Sequence, residues 1–236
     1  MKTIVHTAAS RGFADHGWLK SAHTFSFAGY YDPSRMHFGA LRVLNDDHVE
    51  GGNGFGAHPH DNMEIISIPL AGSLAHKDSM GNAGTISVNE VQVMSEGTGI
   101  QHSEYNASET EAVKFLQIWL FPNKQNVTPR YDQIQIDPAG RLNKFQQIIS
   151  PSVEDEGTWI HQDAWFHLAD LEAGQELSYT LKQEGNGVYV FVLEGDAVVA
   201  GEAFNRRDAV GVTDTNAIQF KANSLSKFLL IEVPMY

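Results

Sequence analysis

Apolar residues along this chain recur at two-residue spacing over short runs, and helical spacing is scarce. "ALRVLND" (40–46), "EIISIPLAG" (64–72), "SLAHKDS" (73–79), "TISV" (85–88) and "VQVMSEG" (91–97) read as strands. So do "VKFLQIWLF" (113–121), "YDQIQID" (131–137), "VYVFVLEG" (188–195) and "FLLIEVP" (228–234). Each combines β-branched or aromatic residues with partial alternation and has turn residues at its ends. "SMGN" (79–82) and "QEGNG" (183–187) are predicted hairpin turns. Many short, evenly spaced strands predict an all-β sandwich, jelly roll or barrel.

A weak internal repeat organises these strands. "IISIPLAGSLAHKDS" (65–79) parallels "VYVFVLEGDAVVAGE" (188–202), with Gly72 opposite Gly195. Downstream, "VMSEGTGIQHSE" (93–104) parallels "GVTDTNAIQFKA" (211–222) without a gap. A strand–Gly–strand unit seen twice predicts two similar β-barrels. The Pro- and Gly-bearing stretch at 121–140 is the natural boundary, so the expected division is 1–135 and 136–236. The acidic "SPSVEDEG" (150–157) reads as a solvated loop in the second half.

Composition narrows the partners. A hydrophobic share of 42% with 19% charged residues fits a folded globular chain. A net charge of −13 repels phosphate backbones and anionic membranes, so neither nucleic acid nor a membrane is an expected partner. The absence of cysteine removes disulfides, thiolate ligands and a cysteine nucleophile. "MKTIVHTAASRGFADHGW" lacks the apolar core of a signal peptide, and a cytoplasmic location is expected.

The candidate chemistry lies in histidines. His58 and His60 flank Pro59, which favours extended backbone before it, and alternate residues of a strand share a face. One such pair among 11 histidines is close to chance. His102 and Glu104 form a second same-face pair. Two pairs on neighbouring strands can converge as three imidazoles and a carboxylate, a set that suits a divalent first-row metal with open positions. Glu64 is a rival ligand, but an unbent strand carries it about 13 Å beyond His60. Its more natural role is to orient a histidine. The repeat places Leu181, Gln183, Phe220 and Ala222 opposite His58, His60, His102 and Glu104, so all four donors vanish together from the second copy. His23, His37, His161 and His167 read as structural or surface residues, and His76 carries no motif. The aromatic "FSFAGYY" (25–31) reads as core before cavity lining. No strand–G-x-S-x-G–helix context supports a serine hydrolase.

These stretches also carry a family resemblance. "GNGFGAHPHDNME" (52–64) fits the first cupin motif, G-x5-H-x-H-x3-E, and "GTGIQHSEYN" (97–106) fits the G-x-x-H-x3-N end of the second. Gly97 stands where the second motif usually has Pro, and Val91 replaces its leading Gly. With "HTFSFAGYYDP" (23–33) and "FGALRVLNDD" (38–47), the set resembles the pirin family of the cupin superfamily, most densely over residues 11–131. The resemblance implies a bicupin, two tandem jelly-roll β-barrels in a monomer, with one metal in the first and none in the second. It implies His58, His60, His102 and Glu104 as ligands, and so favours Glu104 over Glu64. The implied metal is Fe(II), with Mn, Co, Ni, Cu or Zn compatible. The implied activity is that of a quercetin 2,3-dioxygenase, acting on a flavonol or similar aromatic enol with O2, with Glu104 as general base. Two other functions are compatible with the family: a regulatory pirin whose metal state tunes binding to a protein partner, and a non-oxidative metal-dependent enzyme.

Overall fold

The computed structural model describes residues 1–236. It contains strands and two single-turn 3₁₀ helices, at Ala8–Ser10 and Pro138–Arg141. No helix is long and apolar enough to cross a membrane. In chain order the strands are β1 (Lys2–His6), β2 (Gly12–Asp15), β3 (Leu19–His23), β4 (Leu41–Val49), β5 (Gly54–His60), β6 (Glu64–Ala71), β7 (Ser73–Asp78), β8 (Ala83–Ser87), β9 (Glu90–Ser95), β10 (Ile100–Asn106), β11 (Val113–Leu120) and β12 (Arg130–Gln135). The rest are β13 (Gln146–Ser150), β14 (Thr158–Trp159), β15 (Trp165–Leu171), β16 (Glu176–Thr180), β17 (Asn186–Glu194), β18 (Asp196–Val199), β19 (Glu202–Asn205), β20 (Ala209–Thr213), β21 (Ala217–Ala222) and β22 (Ser226–Pro234).

Each half is a two-sheet barrel. The first joins a seven-stranded sheet, β12-β9-β6-β11-β4-β3-β2, to a four-stranded one, β5-β10-β7-β8. The second repeats this plan with β1-β20-β17-β22-β15-β13-β14 and β16-β21-β18-β19. The all-β, two-barrel expectation therefore describes the molecule. β12 is the last strand of the first barrel and β13 begins the second. Across that division, β1 pairs antiparallel with β20, so residues 2–6 belong to the sheet of the second barrel.

The two seven-stranded sheets pack on each other through a core shared by both halves, including Ile66, Ile68, Val91 and Val93 from one side and Phe166, Phe191, Leu229 and Ile231 from the other. Alternation then gives each sheet an opposite face turned into its own barrel. In the second barrel that interior is filled by apolar side chains such as Val188, Val190, Phe220 and Phe228. In the first barrel, polar residues cross the inner face in register: His23 opposite Asn45, Asn45 opposite Gln117, Gln117 opposite Ser67, and Ser67 opposite Gln92. The same strand pattern thus encloses a solid core in one half and a polar chamber in the other.

Two sequence expectations change. "SMGN" does turn the β7–β8 hairpin, with Asp78 N–H donating to Asn82 O. "QEGNG" instead carries the chain between sheets, because β16 pairs with β21 while β17 pairs with β22 and β20. This longer connection also shifts the repeat. β10 pairs His102 with His58 and Ile100 with His60, whereas β21 pairs Phe220 with Leu177 and Ile218 with Tyr179. The counterparts of His58 and His60 are therefore Leu177 and Tyr179, four residues before Leu181 and Gln183. Phe220 and Ala222 keep their expected places. Leu177, Tyr179, Phe220 and Ala222 all pack in the apolar core of the second barrel.

Candidate metal centre

β5 and β10 run antiparallel, and their register sets His102 directly opposite His58. The register slips between His102 and Glu104: a step of two residues on β10 is matched by a step of three on β5, from His58 to Phe55. Such a bulge lets residues three apart on β5 share the inner face. Phe55 and His58 accordingly line one cavity. His60, one face-repeat on from His58, joins them. One ring nitrogen each from His58, His60 and His102 lies within 4.8 Å of the others. The ring centroids are 4.8 Å (His58–His60), 4.5 Å (His58–His102) and 5.0 Å (His60–His102) apart.

Hydrogen bonding fits this trio to a cation. His58 Nδ1–H donates to Gly56 O at 2.7 Å, which leaves Nε2 as the nitrogen that can offer a lone pair. His102 Nδ1 sits 3.1 Å from Met94 Sδ, a weak acceptor, and its Nε2 faces His58 Nε2 at 2.9 Å. His60 Nε2 is buried with no hydrogen-bond partner. Burial and the neighbouring imidazoles hold His60 down to about 4 and His102 to about 3, so both rings are neutral at pH 7. Neutral imidazoles with lone pairs turned inward are the donor set a divalent transition metal takes.

Glu104 lies beside the trio and outside that close cluster. It is 2% exposed, and its carboxyl lines the same cavity as His58. Ser67 Oγ donates to Glu104 Oε1 at 3.1 Å and Gln117 Nε2 to Oε2 at 2.8 Å. Burial raises its pKa to about 7 against the pull of those two donors. The carboxyl is thus fixed in direction and poised to exchange a proton near neutrality.

Glu64 is on the wrong face. β6 turns Ile65 and Ser67 into the chamber, whereas Glu64, Ile66 and Ile68 face the second barrel. Ser95 Oγ donates to Glu64 Oε2 at 2.8 Å, and burial raises Glu64 to about 7 against hydrogen bonds from Ser95 and the His161 backbone. It hydrogen-bonds to none of the three clustered histidines, so the orienting role expected for it gives way to one at the barrel interface.

Other residues enter that the sequence did not single out. His76, opposite Glu104 on β7, stacks on Tyr131 at 5.0 Å and sets its ring 5.6 Å from His102. Its Nε2 is 3.4 Å from Asp78 Oδ2. Trp119 meets His60 edge-on at 4.9 Å. Glu96 is fully buried, neither carboxyl oxygen has a partner, and burial with nearby Glu104, Glu64 and Asp78 lifts it to about 8. The even spacing of Gln92, Met94 and Glu96 was the available signal for an inward-facing row. His37 remains structural, against Gly39 O and Phe121. His23 lines the cavity after all, and "FSFAGYY" divides: Phe25 is core, Phe27 and Tyr30 are cavity wall, and Tyr31 is exposed. The cavity measures about 560 Å³, and Phe13, Phe27, Tyr30, Phe55 and Trp119 supply its aromatic surface.

Comparison with known proteins gives the site its context. The Pirin family model matches residues 5–120, and the model for the quercetinase C-terminal cupin domain matches residues 147–233. The chain is 42% identical over 227 residues to quercetin 2,3-dioxygenase of Escherichia coli K12, covering 96% of each. It is 39% identical over 222 residues to a pirin-like protein of Caulobacter vibrioides, covering 94% of this chain and 95% of that one. The fold superposes on the crystal structure of a bacterial pirin, YhhW of Escherichia coli, in complex with nickel(II), with a TM-score of 0.94 at 40% identity over the whole of both chains. The protein belongs to the pirin family and is built as a bicupin.

Proposed function

We propose that the protein is a metal-dependent dioxygenase that opens the heterocyclic ring of quercetin or a similar flavonol. The observation that carries this reading is the three-histidine cluster, whose His58 opens onto an aromatic-lined cavity with the buried carboxyl of Glu104 in the same wall. His58, His60 and His102, with Glu104, would hold one divalent ion. Fe(II) is the family expectation, and the nickel in the related E. coli pirin makes Ni(II) the first competitor. When bound, such an ion supplies Lewis acidity that favours the ionised form of the substrate's 3-hydroxyl.

The chain's own residues supply the rest. Glu104, buried in the cavity wall, takes the proton of the 3-hydroxyl as general base. Ser67 and Gln117 keep the carboxyl aimed during transfer. The aromatic wall holds the planar rings and excludes water from the reacting carbons. In the overall reaction O2 adds to the ionised flavonol, two ring carbon–carbon bonds break, one carbon leaves as CO, and both added oxygens stay in the ester product.

Oxygen uptake with quercetin, by protein loaded separately with Fe(II), Mn(II), Co(II), Ni(II) or Cu(II), tests the reading. We expect uptake with at least one metal and less than a hundredth of it in His58→Ala. If no metal supports uptake and His58→Ala changes only the binding of a protein partner, the regulatory reading replaces this one.

A further inference from the structure

The cavity has a second polar end that the chemistry above leaves unused. β3 and β4 set Ser21 opposite Asp47 and His23 opposite Asn45. All four line the cavity and all are buried, none more than 6% exposed. Ser21 Oγ donates to Asp47 Oδ1. Asn45 Oδ1 and His23 Nδ1 have no hydrogen-bond partner. Unsatisfied buried polar atoms are costly, and two of them side by side in a cavity wall mark a place where a guest completes the bonding.

The chemistry of the guest follows from the wall. The Asp47 carboxyl accepts, and the Asn45 amide both accepts and donates, so the guest carries groups that can do both, as a hydroxyl does. No lysine or arginine lines the cavity, and Glu104 and Asp47 both do, so a carboxylate or phosphate is repelled. The remaining surface is aromatic. His23 lies two strands, about 10 Å, from Gln117, the residue that holds Glu104. One flat molecule can therefore reach both ends.

We propose that Ser21, His23, Asn45 and Asp47 form a second subsite, which takes phenolic hydroxyls on the part of the substrate remote from its 3-hydroxyl. The protein then selects polyhydroxylated flavonols over unsubstituted 3-hydroxyflavone. This rests on the flavonol reading of the site.

Calorimetric titration of the metal-loaded protein under nitrogen separates the two claims, because no turnover occurs. Quercetin and 3-hydroxyflavone are compared on wild type, Asn45→Leu and the isosteric Asp47→Asn, with metal content and Tm checked for each. Quercetin should bind wild type about tenfold tighter or more, the gain of one or two hydrogen bonds. That ratio should fall to within about twofold in each folded variant. A wild-type ratio near one, a ratio unchanged in both variants, or no binding of either flavonol overturns the subsite. Selective binding without oxygen uptake in air retires the dioxygenase reading and leaves the subsite standing.

Discussion

At Glu104 two requirements meet in one side chain. As the proposed base, the carboxyl must be fixed in direction, which Ser67 and Gln117 accomplish, and must be able to take a proton, which burial favours by raising its pKa. Glu104→Gln keeps the shape and removes the base. We expect kcat to fall by about 10² to 10⁴ with a smaller change in KM, read from steady-state oxygen uptake. Glu96 offers a test by stability. Its folded pKa of about 8 lies above the ordinary 4.5, so its contribution is fully present below pH 4.5 and is lost as pH rises through about 8. In metal-free protein, Glu96→Gln should therefore gain on wild type as pH goes from 5 to 9, each unit of displacement being worth about 1.4 kcal/mol. Urea unfolding at pH 5, 7 and 9 measures it, and parallel curves for the two proteins would rule the assignment out. The histidine trio was legible because alternate positions on a strand share a face. His76 and Trp119 were not, because they reach the trio through cross-strand register, which no local spacing displays.

At the scale of elements, the site depends on how β5 meets β10. The bulge between Phe55 and His58 turns both inward, and Gly54 lets the strands close up beyond it. A Cβ at Gly54 would stand 2.4 Å from Tyr105 Cα and 2.5 Å from Glu104 O, against backbone that has nowhere to go. Gly54→Ala should cost about 1–3 kcal/mol, the usual range for overpacking. At roughly 2–4 °C per kcal/mol for a domain of this size, differential scanning calorimetry resolves it. Metal affinity should fall with it, because the strain falls on the pairing that sets His58 opposite His102. All nine strands read from the apolar pattern are present; partly exposed ones such as β7 show alternation, and β6, β17 and β22, buried on both faces, show near-continuous apolar runs. Shorter ones such as β14, with two residues, carry too few positions to show a period. The alternation could show that residues 186–194 form a strand, but not which sheet receives it, and so "QEGNG" passed for a hairpin.

At the scale of the molecule, one fold plan serves two purposes. The second barrel fills its interior with Tyr179, Phe220 and their neighbours and is solid; the first keeps a chamber lined by polar and aromatic groups. The repeat made this asymmetry visible in the sequence, although the four-residue difference before β17 displaced two of the paired positions. The exchange of β1 into the second barrel was not legible, because a five-residue strand carries no record of its partner. A large shared core fixes the two barrels together, and Glu64 lies at that seam, away from the chamber. The account therefore predicts one metal per chain, in the first barrel, and one reaction there. Carbon monoxide released from quercetin in air by the metal-loaded protein tests this most directly. One CO per flavonol consumed, with none from metal-free protein or from His102→Ala, is the predicted result. Stoichiometric metal binding with no CO from any loaded form would contradict it.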